Sequence, residues 1–362
     1  MYDVVIIGAG VNGCSCAHEL SKKGKRVALF DKEGIASGGS GAAGAFISPK
    51  FSKAGELKEI LHTAFLYSMS FYEKEFPKLL TKSELLHIAK DEADDAILRV
   101  YKELTDLELL ESEIQERESL SINAGIVNAK SLCLAMAKSA QFIQEEVHML
   151  EYDDGVWLIN ETYTAKEVIL ATGAYKQILP EPYIKLRGIW GHRIDIETTT
   201  TNAHSIHQFV SISPNKDGKL AIGATHNVHY HPQTSTQAYD VQEGRKELLE
   251  KASRSIKLEN VKVLKDYTGL RSGSFDYMPL VGSLVLSFET LQNKDIHFQT
   301  KKPNFHEYTY YPNLTIINGS GGYGFVLAPY LAKILTENIL ADKEIAKGLQ
   351  PARFFARWAK KL

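Results

Sequence analysis

The sequence contains few cysteines and no long uninterrupted hydrophobic run. Cys14, Cys16 and Cys133 form no CxxC pair, which excludes a disulfide framework and favours reduced thiols in a cytoplasmic protein. The most apolar stretch near the C-terminus, residues 325–332, is far shorter than the roughly 20 residues that span a membrane. Strand-like residues begin at Tyr2. We therefore expect neither a signal peptide nor a membrane partner.

The sequence also lacks a strong net charge. The 42 basic and 44 acidic side chains leave a formal charge of −2, which argues against a protein that holds nucleic acid through its overall field. A local basic patch remains compatible with this balance. The composition of 44% hydrophobic and 24% charged residues excludes disordered and collagen-like chains. At about 150 residues per domain, the 362 residues predict two domains.

A strand–helix–strand unit is predicted within residues 3–31, and the hexapeptide GAGVNG lies at its first turn. In this nucleotide-binding fingerprint, Gly8 allows the tight turn, Gly10 admits a pyrophosphate, and Gly13 lets the helix pack on the sheet. The amide groups at the helix N-terminus attract phosphates, and Asp31 ends the second strand where a carboxylate can bind ribose hydroxyls. A glycine-rich turn that binds nothing is the alternative, but it leaves the register of strand, helix and acid unexplained.

The fingerprint alone does not distinguish NAD from FAD, because both carry an ADP half. Small residues in Ala171-Thr172-Gly173 end a returning strand, and the glycine-rich segment 319–324 opens the last helix. Each segment alone also fits an ordinary turn, but together with the fingerprint they favour FAD. The residues predicted to bind FAD are Gly8, Gly10, Gly13, Asp31, Lys32, Ser37, Gly38, Val147, Thr172, Gly173, Gly319, Gly321, Gly322, Tyr323 and Gly324.

The pattern of hydrophobic residues changes along the chain. Segments 189–196, 209–212 and 220–224 alternate without intervening helices, which indicates an antiparallel sheet. The charge-rich segment 82–118 is interpreted as solvated helices, and the glycine-rich segment 36–44 as irregular. The predicted fold is α/β, a Rossmann-type FAD-binding domain with an interleaved antiparallel-sheet substrate domain of α+β type. The predicted FAD-binding domain comprises residues 1–80, 125–187, 268–282 and 312–362, and the substrate domain comprises 81–124, 188–267 and 283–311.

Two residues are candidates for catalysis. Arg271 precedes the segment Asp276-x-x-Pro-Leu-Val-Gly, and an arginine beside a flavin can hold a substrate carboxylate through two parallel hydrogen bonds. From the residues alone, a surface arginine paired with an acid is the more ordinary interpretation. Tyr323, between glycines, either lines the flavin site or begins a helix. The roles of Arg271 and Tyr323 therefore depend on which residues surround them in the fold.

Three histidines, His226, His229 and His231, lie close together in the sequence. Their spacing is not i,i+4, no carboxylate is adjacent, and strand alternation would place the first two on opposite faces. We interpret the segment as a solvated loop and predict no metal site.

The motifs GAGVNG, ASGGSG, ATGAY, GLRSGSFDYMPLVG and NGSGGYGFVLAP occur in this order over nearly the whole chain. They resemble the D-amino-acid oxidase and glycine oxidase superfamily of FAD enzymes. A closer resemblance is to the oxidoreductase half of the bifunctional family that modifies the wobble uridine of tRNA. The segments that carry it are residues 71–77, 222–226, 271–282, 328–332 and the basic end 354–361.

This resemblance implies that Arg271 holds an N-carboxymethyl group, which is oxidised and released as glyoxylate from 5-carboxymethylaminomethyl(-2-thio)uridine. Expected partners are tRNA or a small N-substituted glycine, oxygen or another electron acceptor, and a separate methyltransferase. Non-covalent FAD and a cytoplasmic location are also expected. An oxidase of free glycine, sarcosine or a D-amino acid is the enzyme alternative, and a flavin-containing binding protein is the non-enzyme alternative. The basic residues expected to contact tRNA are Arg353, Arg357, Lys360 and Lys361, with Lys50, Lys53 and Lys58.

Overall fold

The computed structural model describes residues 1–175, 178–300 and 302–362. One sheet contains β1 (Tyr2–Ile7), β2 (Val27–Phe30), β7 (Gln141–Ile143), β8 (Leu150–Asp153), β9 (Val156–Ile159), β10 (Tyr163–Leu170), β16 (Leu280–Val285) and β17 (Tyr310–Asn318). A second sheet contains β3 (Phe46–Ile47), β4 (Leu80–Ile88), β5 (Leu110–Ile114), β6 (Arg117–Val127), β11 (Leu186–Glu197), β12 (Ser205–His207), β13 (Ser211–Ile212), β14 (Lys219–Gly223) and β15 (Lys262–Ser274).

The helices connect these strands. They are α1 (Val11–Lys22), α2 (Gly39–Ala42), α3 (Glu56–Glu75), α4 (Glu92–Leu104), α5 (Ala129–Ala137), α6 (Val241–Ser253), α7 (Ser287–Gln292), α8 (Gly324–Ala341) and α9 (Ala352–Ala359).

The first sheet has the order β16-β17-β10-β1-β2-β7, and its neighbours are parallel except for β16 with β17. The apolar residues of β1 are all buried, as expected for a parallel strand covered on both faces. Helix α8 packs against both α1 and α3. This arrangement confirms the predicted Rossmann-type domain.

The second sheet has the order β15-β11-β14-β13-β12-β4-β6-β3 and is largely antiparallel. Its longest ribbon pairs β11 with β15 along their whole lengths. Leu248 and Ala252 of α6 are fully buried against this sheet. The predicted alternating segments 189–196 and 220–224 lie on β11 and β14, whereas only the last two residues of segment 209–212 form a strand, β13. The exact domain boundaries stay a prediction.

Two local expectations are wrong. The charge-rich segment 82–118 contains α4 but also β4, β5 and the start of β6. Strand β5 forms a hairpin with β6, and β4 pairs with β6 as well, so strand pairing overrides the local helical pattern outside α4. The glycine-rich segment 36–44 contains the short helix α2, which the absent side chain of Gly41 permits. A Cβ on Gly41 would lie 2.1 Å from the carbonyl oxygen of Ala36.

Glycines also allow α2 to pack closely on β15 of the second sheet. A Cβ on Gly39 of α2 would lie 2.5 Å from the carbonyl oxygen of Leu270 in β15. A Cβ on Gly269 would lie 2.8 Å from the Cα of Gly39. Backbone therefore packs directly on backbone where the first nucleotide-binding loops contact the second sheet.

The helical segment Gly321–Ala341 is long and apolar enough to cross a membrane by length and composition. It exceeds the apolar stretch of residues 325–332 that the sequence analysis considered. Half of its most apolar window is buried within the fold, where Leu331 and Leu335 are fully covered. The helix therefore forms part of the core around the nucleotide-binding sheet.

Candidate functional site

A cavity of about 520 Å³ is lined by both sheets. Apart from Gly13 and Gly319, every residue predicted above for FAD binding or catalysis lines it. Gly13 lies outside the cavity but allows α1 to pack closely on the Gly8 turn, because a Cβ there would lie 1.9 Å from the carbonyl oxygen of Gly8. Gly319, with φ +75°, turns the chain from β17 towards α8. The structure thus brings the separate sequence motifs together, while the role of each residue stays a prediction.

One end of the cavity, here called the glycine end, is formed by Gly8 and Gly10 at the start of α1. Gly8 has φ +107°, and a Cβ on it would lie 2.4 Å from the carbonyl oxygen of Ala171. A Cβ on Gly10 would lie 3.1 Å from the hydroxyl of Ser40, which accepts a hydrogen bond from the Val11 amide at 2.9 Å. Added side chains would fill this cradle, so the first loop fits a pyrophosphate approaching the helix N-terminus.

Asp31 lies farther along the wall, at the end of β2. Its Oδ2 accepts a hydrogen bond from the Ala9 amide at 2.9 Å, and its Oδ1 accepts from the amides of Glu33 and Gly34 and from the Ser37 hydroxyl. These donors fix the carboxylate at the cavity wall, where it retains acceptor capacity for a ribose hydroxyl. The residues present therefore fit the ADP half of FAD.

The N-terminus of α8 faces the middle of the cavity. Nothing lies within 4 Å of a Cβ placed on Gly321 or Gly322, so backbone amides are open to a ligand there. Burial raises the pKa of Tyr323 to about 12, which keeps its phenol neutral. The Lys50 ammonium lies 5.5 Å from the Tyr323 ring centroid, and burial lowers the pKa of Lys50.

The opposite end, here called the arginine end, is formed by Arg271 on β15 with Gly191 and Thr225. The guanidinium lies across Gly191, where a Cβ would be 2.5 Å from Nη2. Its Nη1 donates a hydrogen bond to the Thr225 carbonyl oxygen at 3.1 Å. No carboxylate pairs with Arg271 in the part of the chain that the structure describes, and burial lowers its pKa. A buried cation with only a carbonyl partner favours an anionic ligand.

A hydrogen-bond network behind the arginine end fixes Thr225. The Thr225 hydroxyl accepts from the His192 amide at 2.9 Å, and His192 Nε2 lies 2.9 Å from Asp266 Oδ1. Arg245 donates to both oxygens of the same carboxylate, through its Nε and its Nη2. The sequence analysis missed this network, because its members lie on separate elements and share no spacing motif.

Charge is distributed unevenly along the cavity. Acidic side chains lie around the ends of β2 and β7 and belong to Asp31, Glu33, Glu145 and Glu146. Among the described lining residues, none at the arginine end is acidic. An anionic substrate group is therefore favoured beside Arg271, and a second positive charge there is disfavoured.

His207 also lines the cavity and was missed by the sequence analysis. Its ring lies 5.1 Å from that of Phe46 and 6.4 Å from that of His87. Burial lowers the pKa of His207 to about 3 and that of His87 to about 4. Both rings are therefore neutral near pH 7. The short strand β12 that positions His207 carries no recognisable motif in the sequence.

The expectation that the C-terminal basic residues form an RNA patch is wrong for Arg353. This side chain is 8% exposed and binds both oxygens of Asp276 at 3.0 Å. Arg357 donates to the same carboxylate at 2.9 Å. Lys58 donates to the Leu104 carbonyl at 3.0 Å. The basic C-terminal helix stabilises the turn at Asp276 instead.

Comparisons with known proteins agree with this geometry. The model of the DAO family, FAD dependent oxidoreductase, matches residues 3–338. The chain is 26% identical to the tRNA 5-methylaminomethyl-2-thiouridine biosynthesis bifunctional protein MnmC of Legionella pneumophila, over 98% of this chain and 57% of that protein. It therefore spans little more than half of that relative. It is 24% identical to glycine oxidase of Bacillus licheniformis, over 78% of this chain and 84% of that protein.

Solved structures show the same fold. Glycine oxidase from Bacillus cereus superposes with a TM-score of 0.74 at 20% identity, covering 95% of this chain and 96% of that one. L-proline dehydrogenase from P. horikoshii superposes with a TM-score of 0.76 at 17% identity, covering 98% and 97%.

Proposed function

Because the chain belongs to the DAO family of FAD-dependent oxidoreductases, we propose that it oxidises the N-carboxymethyl group of 5-carboxymethylaminomethyl(-2-thio)uridine at the tRNA wobble position. The products are glyoxylate and 5-aminomethyl(-2-thio)uridine. The coarser assignment, an FAD enzyme acting on carbon–nitrogen bonds of amines or amino acids, follows from the family. The substrate is the proposal.

The observation that carries this proposal is the environment of Arg271. Its guanidinium is buried beside Gly191 and has the Thr225 carbonyl as its hydrogen-bond partner. A substrate carboxylate supplies the missing anion through charge-assisted hydrogen bonds. This contact fixes the methylene carbon between carboxylate and nitrogen at a defined place in the cavity, and such positioning lowers the entropic part of the barrier.

FAD held by the glycine end and the N-terminus of α8 would supply the acceptor for a hydride from that methylene carbon. The substrate amine must give up its proton before it is oxidised. The arginine end favours the neutral amine, because the described lining residues there include no acid and Arg271 is cationic. Water then splits the carbon–nitrogen double bond of the oxidised substrate, which releases glyoxylate and the primary amine. A dedicated protein base is not needed in this scheme.

The preference for tRNA over a free amino acid is supported by the MnmC relatives, which match 98% of this chain. Those proteins are longer, so the methyltransferase partner and the RNA substrate are both part of the proposal. Glycine oxidase relatives support the alternative, a free small amine.

The test compares substrates on the purified flavoprotein. Transfer RNA carrying 5-carboxymethylaminomethyl-2-thiouridine should yield glyoxylate and the aminomethyl nucleoside in equal amounts, measured by mass spectrometry of digested tRNA. Glycine, sarcosine and D-alanine should turn over far more slowly at equal concentration. Brisk oxidation of a free amino acid with unchanged tRNA would replace the proposal by the glycine oxidase alternative.

A further inference from the structure

A short turn between β15 and β16 displays two aromatic side chains to solvent. Phe275 is 54% exposed and Tyr277 is 67% exposed. The guanidinium carbon of Arg187 lies 5.3 Å from the Phe275 ring centroid and 4.9 Å from the Tyr277 centroid. Two exposed rings grouped with one arginine form an apolar and cationic surface, and clustered exposed apolar side chains usually mark a binding site.

The backbone of this turn is held in an unfavourable conformation. Tyr277 has φ +65°, in the left-handed region that bulky residues rarely adopt. Asp276, between the two rings, accepts hydrogen bonds from the Ser274 hydroxyl and the Met278 amide and binds Arg353 and Arg357. The Asp276 carboxylate therefore anchors the turn to the rest of the protein, while the side chains of Phe275 and Tyr277 are exposed to solvent. Such preorganisation lowers the entropic cost of binding a ligand.

The turn lies beside the arginine end of the cavity. Arg187 on β11 pairs with Gly273 on β15, two positions from Arg271, and its Nη2 donates to the Ser274 carbonyl oxygen at 3.2 Å. On the cavity side, the Lys50 ammonium lies 5.5 Å from the Tyr323 ring centroid. Arg187 thus places a positive charge at the exposed rings, on the strand that pairs with the strand of Arg271.

We propose that Phe275, Tyr277 and Arg187, here called the aromatic turn, bind the nucleobases that flank the modified uridine in the single-stranded anticodon loop. This inference rests on the proposed function. Unstacked RNA bases bind to aromatic rings and to arginine planes, and the neighbouring cations attract the phosphates between them. A free amino acid held by Arg271 has no group that extends to the aromatic turn. The turn therefore distinguishes an RNA loop from a small amine.

The experiment compares two probes with the same reactive group. One is an anticodon stem-loop RNA carrying 5-carboxymethylaminomethyl-2-thiouridine, and the other is the free nucleoside. Phe275→Ala and Tyr277→Ala should each lower kcat/KM for the RNA about 5- to 150-fold, mainly through KM. Neither should change kcat/KM for the nucleoside. Tyr277→Phe should retain activity on the RNA, because it keeps the ring.

Phe288→Ala is the matched control, because Phe288 is 67% exposed on α7 and does not line the cavity. Unchanged RNA kinetics in both aromatic-turn variants would overturn the inference. An equal loss of kcat/KM with the nucleoside would also overturn it, because the turn would then act as a lid over the cavity for any substrate. Wild-type protein that oxidises sarcosine but neither binds nor oxidises the RNA would overturn the proposed function, and the inference with it. The wild type alone decides that outcome, so the two failures are distinguishable.

Discussion

The glycine end of the cavity is built from contacts between backbone atoms, whereas the arginine end is built from side chains. At Gly8 and Gly13, a single added carbon would lie within 2.4 Å of a carbonyl oxygen. At Arg271, a charged group lies over Gly191 with one backbone acceptor. The glycine end thus excludes added side chains. At the arginine end, Arg271 has no carboxylate partner among the described residues. Mutations should accordingly remove the cofactor at one end and change substrate use at the other.

The largest effect is expected at the glycine end. In Gly13→Ala, the new Cβ would lie 1.9 Å from the Gly8 carbonyl oxygen, so α1 cannot keep its place against β1. The purified variant should be colourless and release no FAD on denaturation. Gly273→Ala is the control, because its Cβ would meet Ile189 at an ordinary 3.6 Å. A yellow Gly13→Ala protein with full FAD content would contradict the backbone account of this end.

The next largest effect concerns the support of the aromatic turn. Asp276→Ala leaves Arg353, which is 8% exposed, without its carboxylate. Removing one partner of a buried ion pair costs about 3–5 kcal/mol of unfolding free energy, measured by the denaturant midpoint. Glu259→Ala, at an exposed pair with Lys257, should leave that midpoint unchanged. Equal midpoints for the two variants would show that the Asp276 cluster contributes little.

A smaller and more selective effect is expected at the arginine end. Arg271→Leu should keep the flavin absorbance but lower kcat/KM for carboxylate substrates by about 10- to 150-fold, because a charge-assisted hydrogen bond is worth about 1.5–3 kcal/mol. The methyl ester of the same substrate serves as the control, since it lacks the charge that Arg271 binds. Equal losses for acid and ester would remove Arg271 from carboxylate binding.

Near pH 7 the smallest effect is expected from His87 and His207, whose contribution to stability changes only when the pH is lowered. The folded-state pKa values of His87 and His207, about 4 and about 3, lie below the ordinary value near 6.5. The unfolded chain therefore binds more protons between pH 6.5 and those values, so stability should fall as the pH is lowered through this window. At pH 5 the loss should be about 1–2 kcal/mol for each histidine. His87→Gln with His207→Gln should flatten the pH dependence of the denaturant midpoint, whereas an unchanged slope would contradict it.

The glycine end could be predicted because its signals are local in the sequence. A strand, three spaced glycines and Asp31 occupy about 30 residues, and each residue type has a direct geometric reason. The arginine end required the fold. Arg271 was a candidate from the sequence, but Thr225, His192 and Asp266 meet through strand pairing over long distances.

The error of assigning Arg353 to an RNA-binding patch has a similar cause. Basic residues near the C-terminus indicate a solvated helix end, but Arg353 instead faces inward to Asp276. Sequence spacing does not reveal that pairing, because 77 positions separate the two residues. The exposure of Phe275 and Tyr277 likewise follows from the position of the turn and not from any periodic pattern.

The contact of Gly39 with Leu270 and Gly269 has a mechanical consequence. Because no side chains lie between these two backbones, α2 and β15 cannot move apart at this point without losing the contact. A macromolecular substrate would then insert only its reactive side group into the cavity, while the rest of the molecule would stay outside.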